Sequence, residues 1–243
     1  MGDLTVAWMT HARLFTGSPA GGAEMADEDM IRDAPVKVGV VGPDDPIDSY
    51  DRVVVAGAQH IPVERIPQLT DAVVWAHGSQ AAFGHMLPLY EQARAFIALT
   101  PRHLAWEQAW IHRRDGWHLN PGTLSTAGLD PARTKDIPAL WAHRDVPHKG
   151  LQAAEEWAAR HGVPLTVATG RPRSEVLDLM SRAERFVLLS SIPDGGPRAV
   201  IEAQLAGCEL VVNDNVGYWD EPADDLRRRI DRAADDFWEL VCE

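Results

Sequence analysis

The chain has 243 residues, of which 45% are hydrophobic and 24% charged. That length holds one large domain or two compact ones, and the composition is too apolar for a disordered tail. Acids outnumber bases 36 to 23, evenly along the chain (15 to 9 over residues 1–120, 21 to 14 over 121–243), which excludes a broad surface for nucleic acid but not a local basic pocket.

No apolar run approaches the roughly 18 residues of a membrane span. Asp3 and the absence of a basic opening speak against a signal peptide, and Val6 against the myristoylation pattern. Cys208 and Cys242 give neither a disulfide framework nor zinc spacing, so a cytoplasmic setting without a metal is expected. Among 23 basic residues only Lys37, Lys135 and Lys149 are lysines.

In chain order, the first expected strand is Leu4–Met9, followed by a Gly-rich loop and a polar helix over Ala23–Arg32. Val36–Val41, Arg52–Gly57 and Ala72–Ala76 are short, β-branched and bounded by Gly, Pro or Asp, the pattern of buried parallel strands. Residues 84–98 carry Leu87, Leu89, Ala93 and Ile97 near helical spacing, with Phe96–Leu99 as an alternative strand. Residues 115–138 read as irregular chain, with a linker at 121–137 between a domain over 1–120 and one over 138–220. There a strand at Pro138–Ala142 leads to a helix over Gly150–Arg160 closed by Gly162. Leu165–Ala168 is a strand, and a helix over Ser174–Ala183 has Ser174 as its expected N-cap. Phe186–Leu189, a helix over Ala199–Ala206 and a strand over Leu210–Val212 complete a parallel α/β pattern. A C-terminal helix over 221–243 carries Leu226, Ile230, Ala233 and Trp238 on one face.

Two segments carry chemistry. Arg144 and Lys149 flank a strand-to-helix turn, where two cations beside backbone N–H groups suit a diphosphate. The alternative is a pair of solvated surface residues. Further on, Asp194-Gly195-Gly196-Pro197 links a strand to a helix that carries Glu202 among Ala, Val, Ile and Leu. Gly195 and Gly196 allow close approach of a ligand, Pro197 suits the first helical position, and the first turn offers N–H groups to an anion. A buried Glu202 needs a partner: a ribose diol, or a nearby arginine.

The order and spacing over residues 138–217 resemble the nucleotide-binding half of retaining GT-B glycosyltransferases, the group 1 or family 4-like enzymes. Arg144 and Lys149-Gly150 match that family's Arg and Lys-Gly, with His143 where the family has glycine. Thr169-Gly170, Ser190, the Asp194–Glu202 interval, Ala203, Gly207, Val211-Val212 and Gly217 follow in register. Asp194 stands where the family carries Glu.

The resemblance implies an α/β fold of two Rossmann-like domains facing across a cleft, the N-terminal one shortened. It implies transfer of a sugar from a nucleotide-diphosphate-sugar donor to an unidentified acceptor, with no metal or cofactor. By the same resemblance Arg144 and Lys149 hold the diphosphate, Glu202 the ribose and Asp194 the donor sugar. Gly21 and Gly22 look like the family's N-terminal glycine loop, Gly195 and Gly196 lie near the sugar or phosphates, and His77 corresponds to a histidine that touches the donor sugar. His77 has the alternative of a satisfied, partly buried histidine. A non-catalytic binding protein and a sugar-nucleotide epimerase on the same fold are the competing functions. Trp106, Trp110 and Trp117 are candidates for an acceptor border, against ordinary packing.

Overall fold

The structure, a computed structural model, describes residues 4–11, 14–15, 22–57, 60–78, 84–113 and 115–243. It divides into two compact units, Met1–Leu124 with Arg229–Glu243, and Ser125–Arg228.

In the first unit the short β-branched runs become parallel strands: β1 (Thr5–Met9), β2 (Lys37–Val41), β3 (Arg52–Ala56), β4 (Val73–Trp75), β5 (Ala95–Ala98) and β6 (Trp117–Leu119). Their order is β2-β1-β3-β4-β5-β6. Successive side chains alternate between two buried layers. Val6, Trp8, Val54, Val73 and Trp75 line one, while Ala7, Met9, Val55, Val74 and Phe96 line the other. Burial on both faces is why these strands read as continuous apolar runs.

Three helices connect them: α1 (Gly22–Arg32), α2 (Leu87–Gln92) and α3 (Pro101–Gln108). The 84–98 segment resolves into a 3-10 turn, α2 and β5. Neither α3 nor β6 is anticipated from the sequence. Thr100 starts α3, its Oγ1 accepting from the His103 N–H at 3.1 Å. β6 lies inside the stretch expected to be irregular, and pairs Phe96 with Trp117 and Ala98 with Leu119.

The second unit holds β7 (Ala139–Trp141), β8 (Leu165–Val167), β9 (Arg185–Leu188) and β10 (Glu209–Val212), parallel in the order β10-β9-β7-β8. Its helices are α4 (Leu151–His161), α5 (Arg173–Arg182) and α6 (Arg198–Leu205). Leu140, Phe186 and Leu188 face α5 and α6, and Ala139, Trp141 and Val187 face α4. Two helix starts differ from expectation. Pro172, not Ser174, is the N-cap of α5, and Pro197 is the N-cap of α6 rather than its first residue. In both cases the fixed proline φ turns the chain into the helix from an extended ψ.

The single C-terminal helix of the sequence reading is two helices, α7 (Ala223–Asp231) and α8 (Ala233–Cys242), broken at Arg232. The α8 segment is built into the first unit. Phe237 packs 5.6 Å from Trp8 and 5.1 Å from Trp75 between ring centroids. The Trp238 Nε1–H donates to the Met30 carbonyl at 3.0 Å, and the Asn120 amide donates to the Ala233 carbonyl at 2.8 Å. Each such aromatic burial stabilises by about 1.5–3 kcal/mol.

In each sheet the chain turns one way and then the other. β8 lies on one side of β7 and β9 on the other; β2 and β3 flank β1 in the same manner. The places where strand order reverses, beyond the carboxyl ends of β7 and β9 and of β1 and β3, are where open α/β sheets bind ligands.

Candidate functional site

The second unit's reversal point is bounded by the loops after β7 and β9. The first runs from His143 to a 3-10 turn, Pro147–Lys149, and closes on Gly150. Gly150 has φ +68°, and a Cβ there would lie 2.0 Å from the Leu189 carbonyl oxygen. Glycine is therefore dictated by both backbone conformation and space. The close approach welds the start of α4 to the end of β9.

Polar contacts fasten the second loop to the first. The Ser190 hydroxyl lies 2.9 Å from the His148 carbonyl and 2.7 Å from that of Ile192, and the Ser191 N–H donates to the His148 carbonyl at 3.0 Å. Asn213 and Asn215, beyond β10, both donate to the Ser190 carbonyl, at 2.8 and 3.0 Å. The backbone of Asp194 donates to Asn215 and accepts from Gly217, each at 2.8 Å. This frame brings together two predicted residues that are 45 positions apart: Lys149 Nζ forms an ion pair with Asp194 Oδ2. Both side chains are mostly buried, 13% and 14% exposed.

Arg144 stands on the same loop as Lys149 and is exposed, with no ion pair to an acid among the described residues. Gly195 is buried and Gly196 half-buried, and neither has a left-handed φ. Glu202 is buried on α6. Its Oε1 receives Arg173 from the first turn of α5, and Arg198 Nε lies 3.6 Å away one helical turn back. The arginine partner is thus present. Burial raises the Glu202 carboxyl above its ordinary range, and the two arginines offset part of that.

His77 and Gly22 belong to the first unit. Gly22 is the exposed first residue of α1, and Gly21 lies outside the described residues. His77 Nε2 is 2.7 Å from Oδ1 of the buried Asp27, and its ring packs 4.6 Å from Trp75. That is a satisfied, partly buried histidine, held by a carboxylate. Trp117 packs on the core under Arg113, whereas Trp110 is exposed.

Four features are not specified by the sequence. Arg173 and Arg198 hold Glu202; Arg198 is legible as an i−4 neighbour, but Arg173 is 29 positions away. Asn213 and Asn215 brace Ser190. His11 and His60 stack at 3.6 Å between ring centroids just beyond β1 and β3, the first unit's reversal point. Burial, then the neighbouring His60, lowers the His11 pKa.

The fourth is His143, where the resembling family carries glycine. Burial, followed by the charges of Lys149, Arg144 and His148, pushes its pKa down to about 3. Its Nε2 is buried with no hydrogen-bond partner among the described residues. A histidine whose folded pKa lies below its unfolded 6.5 favours the fold while neutral, and that contribution is lost as pH falls from 6.5 toward 3. Wild-type protein is expected to lose about 2–3 kcal/mol through this group by about pH 4.5. His143→Leu removes the titration, so urea unfolding should show a shallower acid limb for the variant. Equal slopes would place His143 in an environment that tolerates its charge.

No helix among the described residues is long and apolar enough to cross a membrane, and no group of three or more His, Cys, Asp or Glu among them is placed to hold a metal. No protein-family model and no curated protein matches the sequence. Solved structures do. HepE from Anabaena, in complex with UDP and glucose, aligns over 98% of this chain and 95% of its own at 13% identity and TM-score 0.57. Sucrose-phosphate synthase from Thermosynechococcus elongatus aligns over 98% and 92% at 14% identity and TM-score 0.61. WaaB, a lipopolysaccharide outer core galactosyltransferase in its apo form, aligns over 96% and 91% at 13% identity and TM-score 0.57. At these identities the likeness shows the fold: α/β, with two Rossmann-like parallel-sheet units of the GT-B class.

Proposed function

We propose that this protein is a glycosyltransferase that moves a sugar from a nucleotide-diphosphate-sugar to an acceptor hydroxyl, with retention of anomeric configuration. The observation that carries the reading is the meeting of Lys149 and Asp194 at the reversal point of the second sheet. One group suits a phosphate and the other a sugar hydroxyl, at the place where this fold takes ligands. The likeness to HepE, solved with UDP and glucose, supports the same ligand class.

In this reading the bond between the sugar anomeric carbon and the diphosphate oxygen breaks, and its electron pair stays on the diphosphate. The acceptor oxygen bonds to the anomeric carbon and its proton passes to the departing phosphate. Negative charge grows on the diphosphate as the sugar becomes oxocarbenium-like. Arg144, Lys149 and the N–H groups around Gly196 stabilise that charge. Asp194 accepts from donor-sugar hydroxyls, and Glu202, oriented by Arg173 and Arg198, accepts from the ribose. The reading calls for no metal or cofactor and places the reaction in the cytoplasm.

The test is the double variant Arg144→Ala, Lys149→Ala. Wild type is expected to gain thermal stability from a nucleoside diphosphate and to turn over a nucleotide-sugar when offered an acceptor pool. The variant should lose both, with turnover down at least about 100-fold. Survival of both responses would overturn the phosphate assignment. Binding without product would favour the non-catalytic alternative, and donor conversion with no acceptor would favour the epimerase.

A further inference from the structure

Lys149 and Asp194 are paired with each other. Each is mostly buried, so neither is free to lose its partner without replacement. A nucleoside diphosphate that takes Lys149 breaks the pair and strands the Asp194 carboxylate in a poorly solvated position. It also brings a second anion toward that carboxylate. An intact sugar-nucleotide does both halves of the exchange: its phosphate takes Lys149, and its sugar hydroxyls donate to Asp194.

We infer that the Lys149–Asp194 ion pair is a specificity device that discriminates the intact sugar-nucleotide from the free nucleoside diphosphate. This rests on the nucleotide-sugar reading of the site and goes beyond it: Asp194 weakens the product as well as holding the substrate. Once the sugar has left, the carboxylate has no hydroxyl donor and reclaims Lys149, so the same exchange in reverse expels the diphosphate. The shorter Asp in place of Glu is consistent with a carboxylate placed to reach Lys149 across the loop rather than to project past it.

The backbone of Asp194 is pinned by Asn215 and Gly217 and bridges to Val216 independently of its side chain, so Asp194→Asn keeps the loop. The probes are UDP, GDP and ADP with their glucose conjugates, titrated calorimetrically against full-length protein. In wild type the conjugate should bind more tightly than its diphosphate. In Asp194→Asn the free diphosphate should bind about threefold to tenfold more tightly than in wild type, because Lys149 is released, while the conjugate binds more weakly. A residue that merely contacts ligand predicts no such opposite signs. Lys149→Met serves as background: adding Asp194→Asn to it should give no gain for the diphosphate.

Unchanged or weakened diphosphate binding in Asp194→Asn would overturn the inference, as would a gain that persists in the Lys149→Met background. Failure of every probe to bind wild type would overturn the nucleotide reading itself, and the inference with it.

Discussion

Replacing Gly150 with alanine is expected to cost the second unit about 3–4 kcal/mol, among the largest effects of any single methyl group in the molecule. Two terms add. At φ +68° an L-residue sits in the left-handed region, which costs about 1–2 kcal/mol. The new Cβ would also stand 2.0 Å from the Leu189 carbonyl oxygen and 2.8 Å from its carbon. Both are backbone atoms at the end of β9, so nothing flexible gives way, and the start of α4 must move off the sheet. Gly162, at the other end of α4, separates the two terms. It has φ +65°, but nothing lies within 4 Å of its Cβ position. Gly162→Ala should therefore lose only the conformational share, about 1 kcal/mol. Urea unfolding of both variants checks the comparison. Equal losses would mean that the contact with Leu189 relaxes freely. Because Lys149 immediately precedes Gly150, the displacement should also carry Lys149 itself out of its place in the loop, and nucleotide affinity should fall with stability in Gly150→Ala but not in Gly162→Ala.

Gly150 also shows how much of this protein its sequence makes legible. The Lys149-Gly150 step is visible in the chain, but the need for glycine there is not, because the obstructing carbonyl belongs to Leu189, 39 positions away in sequence. The strands were legible wherever β-branched residues run together between breakers, as in Val53-Val54-Val55 and Val73-Val74. β6 was not: Trp117-His118-Leu119 has no β-branched residue and becomes a strand only because β5 offers it an edge. α3 was hidden by its polar composition, since two of its buried residues, His103 and Glu107, are an ionisable pair 3.5 Å apart rather than part of an apolar periodicity. The apolar face over Leu226, Ile230, Ala233 and Trp238 is buried as its spacing implies. The break at Arg232 was not legible, because α8 answers to Trp8, Trp75 and Asn120 of the first unit. For the site, local spacing singled out each loop. It did not contain the order β10-β9-β7-β8, which alone makes the loops after β7 and β9 neighbours and turns Lys149 and Asp194 into a pair.

Glu202→Ala should destabilise by about 2–3 kcal/mol, because it removes a buried side chain's packing together with the acceptor for Arg173 and Arg198. Glu202→Gln should behave very differently. Burial already raises the Glu202 carboxyl, so desolvation outweighs much of what the arginines return, and the ionised form holds little net advantage over a neutral group of the same shape. The Gln variant is expected to stay within about 1 kcal/mol of wild type. The sign of the pH effect follows. A carboxyl whose folded pKa is raised adds stability as pH falls through its titration range and loses it as pH rises, so wild type should gain on Glu202→Gln under acid conditions. This near-neutral variant makes the ribose assignment testable apart from folding. If Glu202 accepts from the ribose hydroxyls, Glu202→Gln should weaken nucleoside diphosphate binding by about tenfold, as loss of a charge-assisted hydrogen bond does, while inorganic pyrophosphate binding stays unchanged. Equal binding of both ligands by wild type and variant would leave Glu202 as the anchor of α5 to α6 and nothing more.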